Sequence, residues 1–159
     1  MKTKVKLFVS YAHRNQALAV KFLDRFLEYT GASLKYDYHL WRDTTNILVG
    51  ENWDKEIKTA AEQCDIGLLL ISASFLGSRY ITRVELKRLR AKPIIPVLLW
   101  PIDFELFDLK GLRKNQMFRL NSPRFQEPKA YGDCNTKQRN KFALKLFRQV
   151  ERRLDRLNL

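Results

Sequence analysis

Six consecutive apolar residues, Ile66–Ile71 (IGLLLI), restrict the possible folds of this chain more than any other segment. A strand with one solvated face alternates apolar and polar residues, whereas a parallel strand covered on both faces is apolar throughout. The segment therefore predicts a central strand of a parallel sheet, with helices on both sides.

The rest of the chain alternates strand-like with helix-like segments. The predicted strands are Val5–Ser10, Leu34–Leu40, Ile66–Ile71, Pro93–Trp100 and a short Gln116–Leu120, and the predicted helices are Asn15–Tyr29, Asn52–Gln63, about Arg79–Arg90, and a last one capped by Thr136. Pro96 removes a ladder donor, which points to a sheet edge or a bulge. This order predicts a doubly wound α/β fold with a mostly five-stranded parallel sheet, whose ligand crevice lies beyond the carboxyl ends of the strands.

Length and cysteine usage indicate one ordinary domain over residues 1–159, with the option that it is the first part of a longer protein. Cys64 and Cys134 have no CxxC or Cys/His cluster around them, so we expect free thiols and no metal site. The apolar run Val5–Val9 is too short for a signal peptide or a membrane span. We therefore expect a cytoplasmic protein without membrane contact.

The formal net charge is +13, from 30 Lys and Arg against 17 Asp and Glu. Such a charge is compatible with nucleic acid, anionic lipid or a phosphorylated small molecule as partner. The basic residues are spread along the chain and become denser in the last helix, as on an ordinary solvated helix face. Nucleic acid is therefore not the expected partner.

Glu85 occupies a helical position where an apolar residue is expected. With Ile81 taken as zero, Glu85 lies at about 40° on a helical wheel, inside the arc of Val84, Leu86 and Leu89. Burying a carboxylate is costly unless it is paired or used. Two interpretations stay open, namely a salt bridge with Arg88 three residues later and a functional carboxylate at the predicted crevice.

Four motifs follow one another along the chain, namely KLFVSYAH, LWRD with a loop and GENW, CDIGLLLISASFLGSRYITRVEL, and KPIIPVLLWPIDF. Together they resemble the TIR (Toll/interleukin-1 receptor) domain family, especially its bacterial members. The resemblance covers roughly Lys4–Leu120 and implies a flavodoxin-like fold. It also implies that Glu85 is the catalytic glutamate of NAD⁺-cleaving members. Ile81 stands where many of those enzymes have Trp, and Tyr80 precedes it.

Seven residues around the crevice are candidate substrate contacts, and five of them have a plain structural alternative. The candidates are Ser10, Tyr11, His13, Arg14, Asp43, Trp53 and Tyr80. For Ser10 the alternative is strand-end hydrogen bonding, and for His13 and Arg14 it is a polar loop leading to a helix capped by Asn15. For Asp43 it is a turn or capping role, and for Trp53 it is core packing with Ile57.

The functional hypothesis is NAD⁺ glycohydrolysis, which releases nicotinamide and gives ADP-ribose or a cyclic product, in immune defence and after self-association. NAD⁺ is then a substrate, and no cofactor is expected. Asp43–Glu51 corresponds to the BB loop, a contact for homotypic assembly. The main alternative is a non-catalytic TIR–TIR interaction module, and a weaker one is a nucleoside deoxyribosyltransferase. The sequence contains no phosphate-loop, GxGxxG, HExxH or GxSxG motif.

Overall fold

The secondary structure alternates between strands and helices as expected. A computed structural model describes residues 1–42 and 53–159, and of residues 53 and 54 it describes the backbone alone. The elements are β1 Thr3–Ser10, α1 Gln16–Gly31, β2 Tyr36–Arg42, α2 Trp53–Gln63, β3 Ile66–Ile71, α3 Ala73–Gly77, α4 Leu86–Leu89, β4 Ile94–Leu98 and α5 Thr136–Leu157. A π-helical turn, Ile81–Glu85, leads directly into α4. Short 3₁₀ turns occupy His13–Asn15, Lys114–Gln116 and Tyr131–Asp133.

The sheet consists of parallel strands in the order β2-β1-β3-β4, which is the start of the flavodoxin-like order. After β2 the chain returns past β1 to form β3. The strand order therefore reverses between β1 and β3, and this switch point is where doubly wound folds bind their ligands.

The predicted fifth strand, Gln116–Leu120, is reduced to a single parallel bridge between Phe118 and Val97, so the described residues form a four-stranded sheet. Leu120 does not extend this pairing, because its N–H and carbonyl are bonded to Lys129 at 2.9 and 2.8 Å. The Phe118 N–H donates to the Pro96 carbonyl at 2.7 Å on the outer side of β4. The ring nitrogen of Pro96 faces the same side, away from β3, because in a parallel strand a residue directs both backbone groups one way. The expected edge position of Pro96 is confirmed.

The continuous apolar run in β3 serves two cores at once. Ile66, Leu68 and Leu70 pack in a cluster with α1 and α5, whereas Leu69 and Ile71 pack in a second cluster with α2, α3 and α4. Every residue of the strand is buried. This arrangement explains why no polar residue interrupts the run, since either face of the strand would bury it.

The last helix, α5, begins one residue away from its predicted cap. Asn135 is the N-cap, and its side chain accepts from the Gln138 N–H at 2.9 Å while Gln138 accepts from the Asn135 N–H. Thr136 has Arg139 three residues later, which has no acceptor, so only Asn135 can form this reciprocal pair. Within the described ranges no helix, including α5, is long and apolar enough to cross a membrane.

Gly132 allows a close approach between the 3₁₀ turn Tyr131–Asp133 and the indole of Trp100. A Cβ atom at position 132 would lie 2.9 Å from Trp100 Cδ2 and closer still to Cε3. We expect Gly132→Ala to lower the free energy of unfolding by about 1–3 kcal/mol, because the added methyl group must displace the ring. Chemical denaturation measures the difference.

Gly77→Ala is the matched control, since a Cβ atom there meets nothing within 4 Å. Equal free energies of unfolding of the two variants would mean that the Trp100 ring does not obstruct a methyl group at position 132. A Trp100→Ala background should remove most of the Gly132→Ala penalty, because the obstructing ring is then absent.

Candidate functional site

The candidate site lies at the carboxyl edge of the sheet, next to the switch point. β1 ends at Ser10 and β3 ends at Ile71, and these two strands are hydrogen-bonded neighbours. Ser10 is fully buried. The alternation of side chains along β1 directs Ser10 to the same face as Phe8, which packs against the α2–α4 side.

Glu85 reaches this edge from the π-helical turn. The Leu86 N–H donates to the Ile81 carbonyl, five residues earlier, and this bond defines the turn. Ile81 and Leu86 are buried in the α2–α4 core, and Glu85 between them is 0% exposed. The inward direction expected from the helical wheel is observed, although the local helix is of the wider π type. Single π turns are rare and occur frequently at functional sites.

A hydrogen bond joins the two buried polar residues. The Ser10 hydroxyl donates to Glu85 Oε2 at 3.2 Å, across 75 positions of sequence. A buried carboxylate is costly without such partners. The proposed salt bridge between Glu85 and Arg88 is wrong, because Arg88 Nη1 lies 3.3 Å from Glu62 Oε1 on α2 and its side chain is 41% exposed. The carboxylate faces the sheet, whereas the guanidinium lies toward the solvent.

A second hydrogen bond links the loops that follow β1 and β3. The Ser72 hydroxyl donates to Asn15 Oδ1 at 2.6 Å, and Ser72 Oγ accepts from the Phe75 N–H at 3.0 Å as the N-cap of α3. Sequence reasoning missed this pair. The available signal was a serine between a strand and a helical segment, which is a typical N-cap. Asn15 occupies the N-cap position of α1, as the alternative interpretation of this loop expected, but its side chain makes no capping hydrogen bond there.

The remaining candidates differ in accessibility. His13 and Arg14 lie in an exposed 3₁₀ turn just after the end of β1. Tyr80 is 40% exposed immediately before the π turn. Tyr11, in contrast, is fully buried in the core cluster with α1 and α5. The side chain of Tyr11 therefore belongs to the opposite face of the sheet from Ser10, because adjacent residues of an extended chain point to opposite faces.

Two candidates are not placed by the structure. Asp43 lies outside the described residues, as does the rest of the segment Asp43–Glu51. Trp53 begins α2, but its side chain lies outside the description. Their predicted roles stay predictions.

The fold and this edge define a class, namely a doubly wound α/β domain with a buried carboxylate at its switch point. The family model described as "TIR domain" matches residues 7–131. The chain therefore belongs to the TIR domain family.

Among solved structures, the chain is similar to the TIR domain of the Toll-related receptor TRR-2 from the lower metazoan Hydra magnipapillata. The TM-score is 0.59 at 16% sequence identity, over 91% of this chain and 97% of that one. At this identity the similarity concerns the fold. None of the curated proteins matches the chain.

Proposed function

We propose that this TIR domain cleaves the bond between nicotinamide and ribose in NAD⁺, with Glu85 as the catalytic carboxylate. The observation that carries the proposal is the buried Glu85 side chain, which accepts a hydrogen bond from Ser10 beside the switch point. Buried ionisable groups at such crevices are candidates for catalysis, because their burial is costly and needs a compensating role.

One carboxylate is sufficient for this reaction. Ordinary glycosides need a general acid because the leaving group is a poor alkoxide. Nicotinamide in NAD⁺ is already a cationic pyridinium and leaves as a neutral molecule. Glu85 would accept hydrogen bonds from the ribose hydroxyls and stabilise the positive charge that develops on the ribose. Water as acceptor gives ADP-ribose, and an intramolecular acceptor gives a cyclic product.

The other substrate contacts follow from charge and exposure. We assign the phosphates of NAD⁺ to His13 and Arg14, which lie in the exposed turn after β1. We assign the nicotinamide to the neighbourhood of Tyr80, with Asp43 and Trp53 as further candidates. Ser10 is assigned a positioning role, since its hydroxyl is engaged by Glu85.

Substrate access requires the site to open, because Glu85 is 0% exposed in this arrangement. We assign this opening to homotypic self-association through the segment Asp43–Glu51. Specific activity is then expected to rise with protein concentration. Depletion of NAD⁺ or signalling through its products, in immune defence, is part of the same proposal.

The experiment is incubation of the purified protein with NAD⁺ over a range of protein concentrations, with and without a crowding agent. Nicotinamide release is followed by chromatography, and deoxynucleosides serve as alternative substrates. Release of nicotinamide from NAD⁺, with no release of free base from deoxynucleosides, would support the proposal. Release of free base from deoxynucleosides instead would assign the site to deoxyribosyl transfer.

Ser10→Ala tests the positioning role. Loss of one hydrogen bond to a carboxylate is expected to lower kcat about 10-fold with little change in KM, because the substrate does not touch Ser10 directly. The measurement is steady-state kinetics of nicotinamide release.

Ser72→Ala is the matched control for Ser10→Ala. Ser72 is a buried serine after the neighbouring strand, and its hydroxyl bonds Asn15 rather than Glu85. An equal loss of kcat in both variants, with equal losses of stability, would reduce Ser10 to a purely structural role.

A non-catalytic TIR–TIR interaction module is the second candidate. It is favoured by the full burial of Glu85, whose hydrogen bond to Ser10 also suits a structural position. Protein that assembles in light scattering but releases no nicotinamide would support this alternative.

A further inference from the structure

A basic cleft lies at the end of the sheet opposite to Glu85. Its volume is about 400 Å³, and its polar lining comes from Lys92, Gln116, Gln149, Arg152, Arg153 and Arg156. Lys92 lies two residues before the first residue of β4, so the cleft faces the amino end of that strand. Glu85, in contrast, contacts the carboxyl end of β1. The cleft is therefore separate from the proposed NAD⁺ site.

One face of α5 supplies most of this cleft. Gln149, Arg152, Arg153 and Arg156 follow the spacing i, i+3, i+4 and i+7, which places them on one side of a helix. Like charges at these spacings repel each other and weaken the helix. A face of this kind is unfavourable by itself and becomes favourable when an anion binds to it.

The carboxylates in the same part of α5 do not neutralise the arginines. Glu151 accepts hydrogen bonds from the hydroxyls of Ser33 and Tyr38, on the side of β2. Asp155 accepts from the Tyr36 hydroxyl at 2.6 Å and pairs with Lys35 at 3.1 Å.

Among the described residues, the cations of the cleft have no acidic partner. Within residues 1–42 and 53–159, no carboxylate lies within 4.0 Å of a cationic nitrogen of Lys92, Arg152, Arg153 or Arg156. The charges at the end of α5 are therefore segregated, with Glu151 and Asp155 facing β2 and Arg152, Arg153 and Arg156 facing the cleft.

We infer that this cleft binds a compact polyphosphate anion, a small molecule that carries two or more phosphate groups. Guanidinium groups match phosphate oxygens in pairs of hydrogen bonds, and Lys92 and the amides of Gln116 and Gln149 add donors from other directions. The volume lies within the range of small-molecule pockets. Donors that converge from α5 and from the start of β4 suit a compact ligand, whereas an extended nucleic acid is contacted by cations spread along a surface.

Isothermal titration with inorganic tripolyphosphate at about 0.15 M ionic strength tests the inference, because this salt screens diffuse surface charge. We expect one equivalent to bind to the wild-type protein. The triple variant Arg152→Gln, Arg153→Gln, Arg156→Gln should bind at least 10-fold more weakly. Lys92→Gln alone should weaken binding several-fold, and it tests the cleft without a change in α5.

The matched control is Lys137→Gln, Lys141→Gln, Arg148→Gln. It removes the same charge from exposed positions of the same helix outside the cleft, and binding should stay within about 2-fold of wild type. Equal losses in the two triple variants, or no saturable binding to wild type, would overturn the inference. A single-stranded oligonucleotide that binds more tightly than tripolyphosphate and is weakened by both triple variants would overturn it as well, since the charge would then serve nucleic acid.

Discussion

Glu85→Gln is expected to lower nicotinamide release from NAD⁺ by about three orders of magnitude while the fold is retained. Glutamine keeps the shape of the side chain and an oxygen that can accept the Ser10 hydrogen bond observed at 3.2 Å. It lacks the negative charge that stabilises the developing cation on the ribose. Removal of one preorganised group of this kind typically costs 10²- to 10³-fold, and a full charge is expected to reach the upper end. The measurement is kcat for nicotinamide release at a protein concentration where the wild type is active.

The control for this variant is Glu62→Gln. Glu62 lies on the neighbouring helix, is exposed, and pairs with Arg88 at the surface. Its replacement should leave the rate within about 2-fold of wild type, because an exposed ion pair contributes little. Undiminished nicotinamide release from Glu85→Gln, with the fold intact, would exclude Glu85 from the mechanism.

Phe142→Ala is expected to lower the free energy of unfolding by about 3–5 kcal/mol, the usual cost of removing a buried phenyl ring. Phe142 is fully buried where α5 meets the rest of the core. Its ring makes edge contacts with Phe118 at 4.9 Å, Tyr131 at 5.3 Å and Phe22 at 6.1 Å between centroids. The variant therefore loosens α1, α5 and the 3₁₀ turn together. Urea denaturation followed by circular dichroism measures the change.

Phe147→Ala on the same helix is the comparison. Phe147 is partly exposed at the edge of this cluster and contacts Tyr29 at 6.5 Å in a tilted arrangement. Its loss should cost clearly less, since fewer apolar contacts are removed from water. Equal effects of the two variants would mean that α5 is held mainly by contacts other than the aromatic cluster.

Two features of one short segment define the geometry around Glu85, namely a π turn and a contact between the carboxylate and β1. The π turn Ile81–Glu85 directly precedes α4, and the carboxylate at its end accepts a hydrogen bond from Ser10 of β1. Arg88, three residues later, stays on the outside with Glu62. Glu85 and Arg88 therefore contact different parts of the molecule, although they are three residues apart.

Much of the fold could be predicted because it depends on local pattern. The segment Ile66–Ile71 is a central strand with the predicted bounds, because a short continuous apolar run is typical of a parallel strand that is buried on both faces. The missing donor of Pro96 indicated a sheet edge or a bulge, and β4 lies at the edge of the described sheet. The predicted fifth strand is present as one bridge only, because the backbone groups of Leu120 bond to Lys129 and not to β4.

The candidate site could be predicted only in part. The inward direction of Glu85 followed from the spacing of its apolar neighbours, because the hydrophobic face of a helix has to point toward a core. The hydrogen-bond partner of Glu85 could not be predicted. Ser10 lies 75 positions earlier, and the sequence does not distinguish it from any other serine at the end of a strand. The same holds for Ser72 and Asn15, which are 57 positions apart.

By itself, the sequence determined the class of fold, the parallel sheet and the inward face of the helix that carries Glu85. These properties follow from the periodicity of apolar residues, which can be recognised within a short stretch of sequence. The tertiary structure alone decided that Glu85 bonds Ser10 instead of Arg88, that Tyr11 lies in the opposite core, and that the acidic and basic groups at the end of α5 are segregated. Such contacts depend on which strand ends and helix faces meet in space. The local sequence around each residue does not show which distant residue it will meet.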